Sequence, residues 1–428
     1  MTARPAPEGI EKDTGVFLAP LRHRDFRLFW TGLFLSGIGS QFTAVAMAWQ
    51  IYELTDSPLQ IGLLGLVRAV PQIIVVLVGG LLADAMNRRK LMMCTQSSLL
   101  VISSMLALLT FTGAASPLML YIATALLAVF SSLESPARHS IVPNLVPRGD
   151  LPQALALHSA QRYVSVIAGP SLGGLLLAAR GPAACYAIEG VSWLVMLVLL
   201  TLMKTKLHEG KGWQAVSVAS LQEGLRFVGS HAIIFPLMLL DFGATFFGSV
   251  RALLPIYARD ILFVGPQGLG ILYAATAVGS LGAAIGMGLF GQVRRAGLWI
   301  FAGIGIYAIS TVLFAGSETF WVSVLLLGIA GAGDMISTIL RGTINQLSTP
   351  DELRGRMASI NNIFTVGGPQ LGQFESGVVA AWLGAEMSAL TGGLATSIIL
   401  TLVLIKFPTV RRYEIKERRK EIEERDEG

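Results

Sequence analysis

The chain has little charge. Asp, Glu, Lys and Arg make up 14% of its 428 residues, against roughly 25% in soluble globular proteins. A soluble chain of this length folds as two or three domains, each with a charged surface, and 59 charged side chains would have to cover them all. Cysteine is scarcer still. Cys94 and Cys185 lie in apolar stretches far apart, so no disulfide framework or zinc site can be built from them. A phosphate loop of the Walker type is missing, which argues against ATP drive. No metal site and no cofactor are expected. These shortages argue against a soluble enzyme, a disordered chain and a nucleic-acid binder.

What is abundant is apolar. Hydrophobic residues make up 53% of the chain, with a further 47 glycines, and the mean hydropathy is +0.64. A membrane helix needs about 20 mostly apolar residues. Twelve segments qualify: 27–52, 59–83, 91–112, 117–135, 152–178, 183–203, 233–257, 267–290, 297–315, 319–340, 356–382 and 385–406. Turn and charge signals such as Asp56-Ser57-Pro58 and Arg180-Gly181-Pro182 punctuate the joins. The apolar stretch after residue 25 is too long for a cleaved signal peptide and reads as a retained first span.

The basic residues set the orientation. With the N-terminus in the cytoplasm, 27 of the 32 Lys and Arg fall on the inner side. The outer half holds only Arg68, Arg180, Arg251 and Arg259, and Arg162 falls inside a span. Both termini are therefore expected in the cytoplasm. The pI near 9.3 reports topology and not an acidic partner. The expected organisation is a cytoplasmic N-terminal segment (1–25), a six-helix half (26–203), a cytoplasmic linker (204–231) with a short amphipathic helix, a second six-helix half (232–407) and a charged helical tail (408–428).

The halves echo each other. Arg138-His-Ser-Ile-Val-Pro-Asn-Leu-Val-Pro147 aligns with Arg341-Gly-Thr-Ile-Asn-Gln-Leu-Ser-Thr-Pro350, and Gly169-Pro170-Ser-Leu-Gly173-Gly174 with Gly368-Pro369-Gln-Leu-Gly372-Gln373. Parallel repeats of six spans, with substrate held between them near the midplane, are the plan of major facilitator transporters.

Gly80-Leu-Leu-Ala-Asp84-Ala-Met-Asn-Arg88-Arg89-Lys90 resembles the signature loop between spans 2 and 3 of the major facilitator superfamily, with Ala85 and Asn87 where a basic residue and glycine are usual. Phe26-Arg27-x2-Trp30, Leu54-Thr-Asp-Ser-Pro-Leu, Val142-Pro-Asn-Leu-Val-Pro147 and Glu223-Gly-Leu-Arg-Phe-Val are similar to the bacterial exporter subgroup that contains enterobactin exporters and macrolide efflux proteins. The resemblance implies an all-α integral membrane protein, twelve helices in two six-helix halves, at work in the bacterial inner membrane. It implies a non-enzymatic secondary transporter that exports a small amphipathic molecule, a siderophore or a drug, by proton antiport. Its partners would be that substrate, protons and the lipid bilayer, with no nucleic acid, and it would work as a monomer. A macrolide or multidrug pump and a lysophospholipid transporter or flippase are the alternatives.

The resemblance also assigns roles. Gly80, Asp84, Arg88 and Arg89 would form a conformational latch. Gly169, Pro170, Gly173 and Gly174 resemble the antiporter motif of drug/proton exporters, with Ser165 replacing its first glycine. Independently of any family, charges inside spans are expensive and default to functional candidates. Asp241, Asp334, Glu189 and Glu375, in that order, are candidates for proton coupling, Asp241 leading because span 7 lines the cavity in this fold. Glu134, Arg138, Arg162, Arg341, Arg68 and Arg251 are candidates for gating or pairing, and Glu134 and Arg138 share a helix face four residues apart. Trp49, Tyr52, Phe246, Phe247 and Tyr273 suit either an aromatic pocket or the lipid interface.

Overall fold

The computed structural model describes residues 18–85, 87–205, 226–291, 293–350 and 354–414. Long helices correspond to all twelve apolar segments: α1 (Arg24–Thr55), α2 (Pro58–Ala85), α3 (Arg88–Phe111), α4 (Pro117–Ile141), α5 (Leu151–Arg180), α6 (Pro182–Leu202), α7 (Ile234–Phe247, with a continuation), α8 (Gly265–Phe290), α9 (Ala296–Ala315), α10 (Phe320–Ser348), α11 (Arg354–Leu383) and α12 (Ala385–Lys406). Among the described helices, eleven are long and apolar enough to cross a membrane. The remaining long helix is α11, whose Asn361, Asn362, Gln370, Gln373 and Glu375 lower its hydropathy. Of the amphipathic helix expected over 220–228, residues 226–230 are helical and 206–225 lie outside the described residues; of the charged tail (408–428), Pro408–Arg411 form one short helical turn and 415–428 lie outside them.

Local chemistry sets the boundaries. Asn87 caps α3, its Oδ1 accepting from the Arg89 amide at 3.0 Å, and Ser116 caps α4. Pro117 and Pro182 open α4 and α6, where no amide partner is needed. Between α5 and α6 the chain turns at Gly181, φ 77°, a conformation that costs glycine nothing. Phe111, Leu289 and Ile405 are 83%, 83% and 71% exposed. Side chains this apolar belong against lipid.

Helices α1 to α6 pack with one another, as do α7 to α12. The two sets meet chiefly through α2 against α11 and α5 against α8. Short joins make successive helices antiparallel, so the first helix begins and the last ends at one face, called proximal here; the opposite face is distal. At the distal face one apolar cluster draws from both sets, from Ile51 and Tyr186 to Tyr257 and Phe314. Towards the proximal face the buried apolar residues divide into separate clusters, one around Phe29 and Met196, another around Ile300 and Leu340. The molecule is thus sealed at the distal face.

Span 7 is not one helix. It breaks at Gly248 and Ser249, then resumes as short turns over Val250–Ala252, Leu254–Ile256 and Tyr257–Ile261. Pro255 removes one amide donor from this stretch. The freed carbonyls find partners, as they must inside a bilayer. Gly248 O accepts from the Tyr307 hydroxyl, and Ser249 O from Ser376 Oγ at 3.1 Å.

Candidate functional site

A cavity of about 330 Å³ lies where the two helix sets face each other, bounded from Tyr273 on its distal side to Arg138 on its proximal side. Small and polar side chains of α1, among them Ser40, Gln41 and Thr43, form one wall, and Gln370 and Gln373 of α11 another. Three charged groups matter most: Arg68 from α2, Glu189 from α6 and Arg251 from the outer piece of span 7. Glu189 is 2% exposed and accepts from Thr43 Oγ1 at 2.5 Å and Ser103 Oγ at 2.8 Å. The Arg251 guanidinium lies 5.5 Å over the Tyr273 ring. Among the described residues neither Arg68 nor Arg251 makes an ion pair. Two cations with free donors and one hydrogen-bonded acid make a site for an oxygen-rich or acidic ligand.

The four proton-coupling candidates are not brought together. Only Glu189 reaches the cavity. Asp241 lies in the inner piece of span 7, paired with Arg341 of α10 at 2.7 Å; the residues of span 7 that line the cavity are Arg251 and Ala252. Asp334 joins Asp241 and Arg341 in one electrostatic cluster. Glu375 stands apart on α11, 3.4 Å from Ser376 Oγ. Buried Ser337 Oγ, Asn345 Oδ1 and Arg341 Nη1 have no hydrogen-bond partner among the described residues.

The other candidates divide as follows. Glu134 is fully buried; Arg138 donates to its Oε1 from Nη2 at 2.8 Å, and Gln96 donates to Oε2 at 2.7 Å. The pair spans positions i and i+4, and Arg138 also touches the cavity. Arg162 is exposed, 5.7 Å from the Tyr163 ring centre. The side chain of Asp84 lies outside the described residues, as does the environment of Gly80. Arg89 donates from Nη2 to the Leu200 and Thr201 carbonyls at 2.8 and 3.0 Å, closing the end of α6. Arg88 is engaged as well.

The glycines of α5 make close contacts. A Cβ on Gly169 would fall on Gln41, one on Gly173 on Phe42, and one on Gly174 only 2.2 Å from Gly270 Cα of α8. A matching contact joins α2 to α11, where a Cβ on Gly377 would come within 2.5 Å of Gly62 Cα.

Sequence reasoning missed the distal lock. The Tyr52 hydroxyl donates to Asp260. Arg259 binds Asp56 at 2.7 Å and stacks 5.2 Å over the Tyr52 ring. Arg259 stands out in sequence only as a rare outer-side arginine. Arg259→Gln is expected to increase the distally open population about two- to fivefold, the range for a partly exposed ion pair. Spin labels at Glu53 and Gln267 should then show a larger long-distance fraction; an unchanged distribution would remove the lock from the mechanism.

Comparison with known proteins follows the same lines. Residues 15–425 match the transmembrane secretion effector family. Enterobactin exporter EntS of Salmonella typhimurium (strain LT2) is 29% identical over 402 residues, covering 91% of this chain and 94% of that protein. Enterobactin exporter EntS of Escherichia coli O81 is 27% identical over 399 residues, with the same coverage. Among solved structures, a bacterial homologue of the human lysosomal transporter Spinster, inward-facing and occupied, superimposes with a TM-score of 0.73 at 14% identity, covering 92% of this chain and 99% of that one. The nucleoside transporter NupG gives 0.69 at 13% identity, covering 91% and 99%. These likenesses identify the major facilitator fold, and the matched family is one of transporters, not enzymes.

Proposed function

The chain belongs to the transmembrane secretion effector family, and we propose that it exports a small amphipathic molecule of the siderophore or drug class across the bacterial inner membrane in exchange for protons. The observation that carries this reading is the central cavity, where Arg68 and Arg251, without an ion pair among the described residues, face it beside buried Glu189. Two guanidinium forks suit a ligand with clustered acidic or phenolic oxygens. The enterobactin exporters among its relatives favour a siderophore over a drug. Glu189 is the proton carrier in this reading, since it is the acid that substrate and proton would both reach. One proton crossing 100 mV supplies about 2.3 kcal/mol, enough for about 50-fold accumulation.

In the same reading residues 26–203 and 232–407 are the halves that rock about the cavity, 204–231 links them, and both termini are cytoplasmic. The proximal face is then the cytoplasmic one. A single chain encloses the cavity, which favours a working monomer. Gly80, Asp84, Arg88 and Arg89 would latch the cytoplasmic side when the distal face opens.

The test is accumulation of enterobactin in intact cells lacking their own exporter, with and without an uncoupler. Expression should lower accumulation, and the uncoupler should cancel the effect. Arg68→Gln and Arg251→Gln should each raise the apparent KM about tenfold or more, the worth of a hydrogen bond to a charged group. Glu189→Gln should remove the uncoupler-sensitive part while leaving binding. Accumulation unchanged by expression would reject enterobactin as substrate; an unchanged uncoupler response in Glu189→Gln would reject that acid as the carrier.

A further inference from the structure

A second cavity, of about 800 Å³, lies between α8, α9 and α10 towards the proximal face. It shares no lining residue with the central one. Gly282 and Ala332 form its floor, Ile336 and Trp299 its walls, and Arg294 and Arg295 its proximal rim. The groove opens sideways. On α10, Leu325 and Ile329 are 62% and 40% exposed, and Ala332 and Ile336 continue that face at helical spacing. On α8, Leu281 and Ile285 are 46% and 55% exposed beside Gly282. An occupant therefore enters from the bilayer.

Its charge is legible from the rim. Arg294 makes no ion pair among the described residues; Glu414 also lines the cavity and pairs loosely with Arg295, at 3.9 Å between two well-exposed side chains, which leaves the rim net positive. Trp299 is half exposed one turn from these arginines, the setting of an aromatic residue at headgroup depth. At Gly282 an added Cβ would meet nothing within 4 Å, so the floor is free space and not a packing seam. Basic pockets between membrane helices on such a face suit anionic headgroups.

We propose that this groove binds one anionic phospholipid from the proximal leaflet, an acyl chain lying over Gly282 and the phosphate held between Arg294 and Arg295. The site is separate from the transport cavity and holds whatever the transported molecule is.

Native mass spectrometry of the purified full chain tests it, with phosphatidylglycerol and phosphatidylcholine of identical acyl chains and with inorganic phosphate. The intact chain should retain one phosphatidylglycerol in preference to phosphatidylcholine. Arg294→Gln and Arg295→Gln should each weaken that retention about fivefold. Gly282→Leu keeps both arginines and starts from a Cβ with open space around it, yet should displace the lipid by filling the floor. Inorganic phosphate should not compete. Equal retention of the two lipids, unchanged retention in the arginine variants or in Gly282→Leu, competition by phosphate, or a second protein copy in place of the lipid would each overturn the assignment.

Discussion

Gly174→Leu is expected to stop export while leaving the protein folded in the membrane. A Cβ at this position would stand 2.2 Å from Gly270 Cα and 2.6 Å from Gly270 N. Backbone atoms cannot rotate away as a side chain does, so α5 and α8 must separate. Overpacking costs about 1–3 kcal/mol, and in the proposed cycle the cost falls only on the state whose distal face is sealed. That state should be depleted by up to about 100-fold, leaving a chain stalled open at the distal face. Gly62→Leu should act the same way through α2 and α11, and the double variant should be little worse, because the sealed state is already depleted. Labelling of a cysteine placed at Ala258, fully buried in the distal cluster, by an impermeant reagent, measured with the amount of protein in the membrane, checks this. Normal export by a normally inserted Gly174→Leu protein would rule out the contact as a required closure.

Arg341→Leu is expected to be the most destabilising single charge deletion. The Arg341 side chain is 6% exposed and Asp241 16%, and Asp334 shares the same cluster. Removing the cation leaves two neighbouring carboxylates without compensation. Stranding one buried charge costs about 3–5 kcal/mol, so the melting temperature in detergent should fall by about 3–6 °C for a chain of this length. Asp241→Asn with Arg341→Leu should recover part of the loss by removing one stranded charge. Arg162→Gln is the contrast, since Arg162 is exposed and its loss should change melting little. Equal melting of Arg341→Leu and the parent protein would mean that the cluster is solvated and open to the cavity.

The spans were legible because a bilayer demands long apolar runs, and those runs survive any detail of packing. Gly174 was legible as part of a motif, but its partner Gly270 was not, since a glycine in the second turn of α8 carries no sign of what touches it. Glu134 and Arg138 could be paired from spacing because both lie on one helix. Asp241 and Arg341, a hundred residues apart, could be named but not joined. Asp241, named first among the coupling candidates because span 7 lines the cavity, is ion-paired with Arg341, while the residues of span 7 that line the cavity, Arg251 and Ala252, lie beyond the break at Gly248 and Ser249. The distal lock escaped because Tyr52, Asp56, Arg259 and Asp260 are ordinary loop-edge residues until the fold brings two helix ends together.

The two glycine contacts sit at comparable points on their helices. Gly174 follows the first residue of α5 by about 23 positions, and Gly377 follows the first residue of α11 by about the same. At 1.5 Å per residue each is a lever about 35 Å long with its fulcrum near the distal face. A tilt of about 10° about such a fulcrum sweeps the far tip by only about 6 Å, roughly the width of one aromatic ring, and about 20° sweeps it by about 12 Å. Under the rocking motion proposed above, the size of the cargo sets the angle through which these levers swing, and a bulky macrocycle demands about twice the stroke of a flat one.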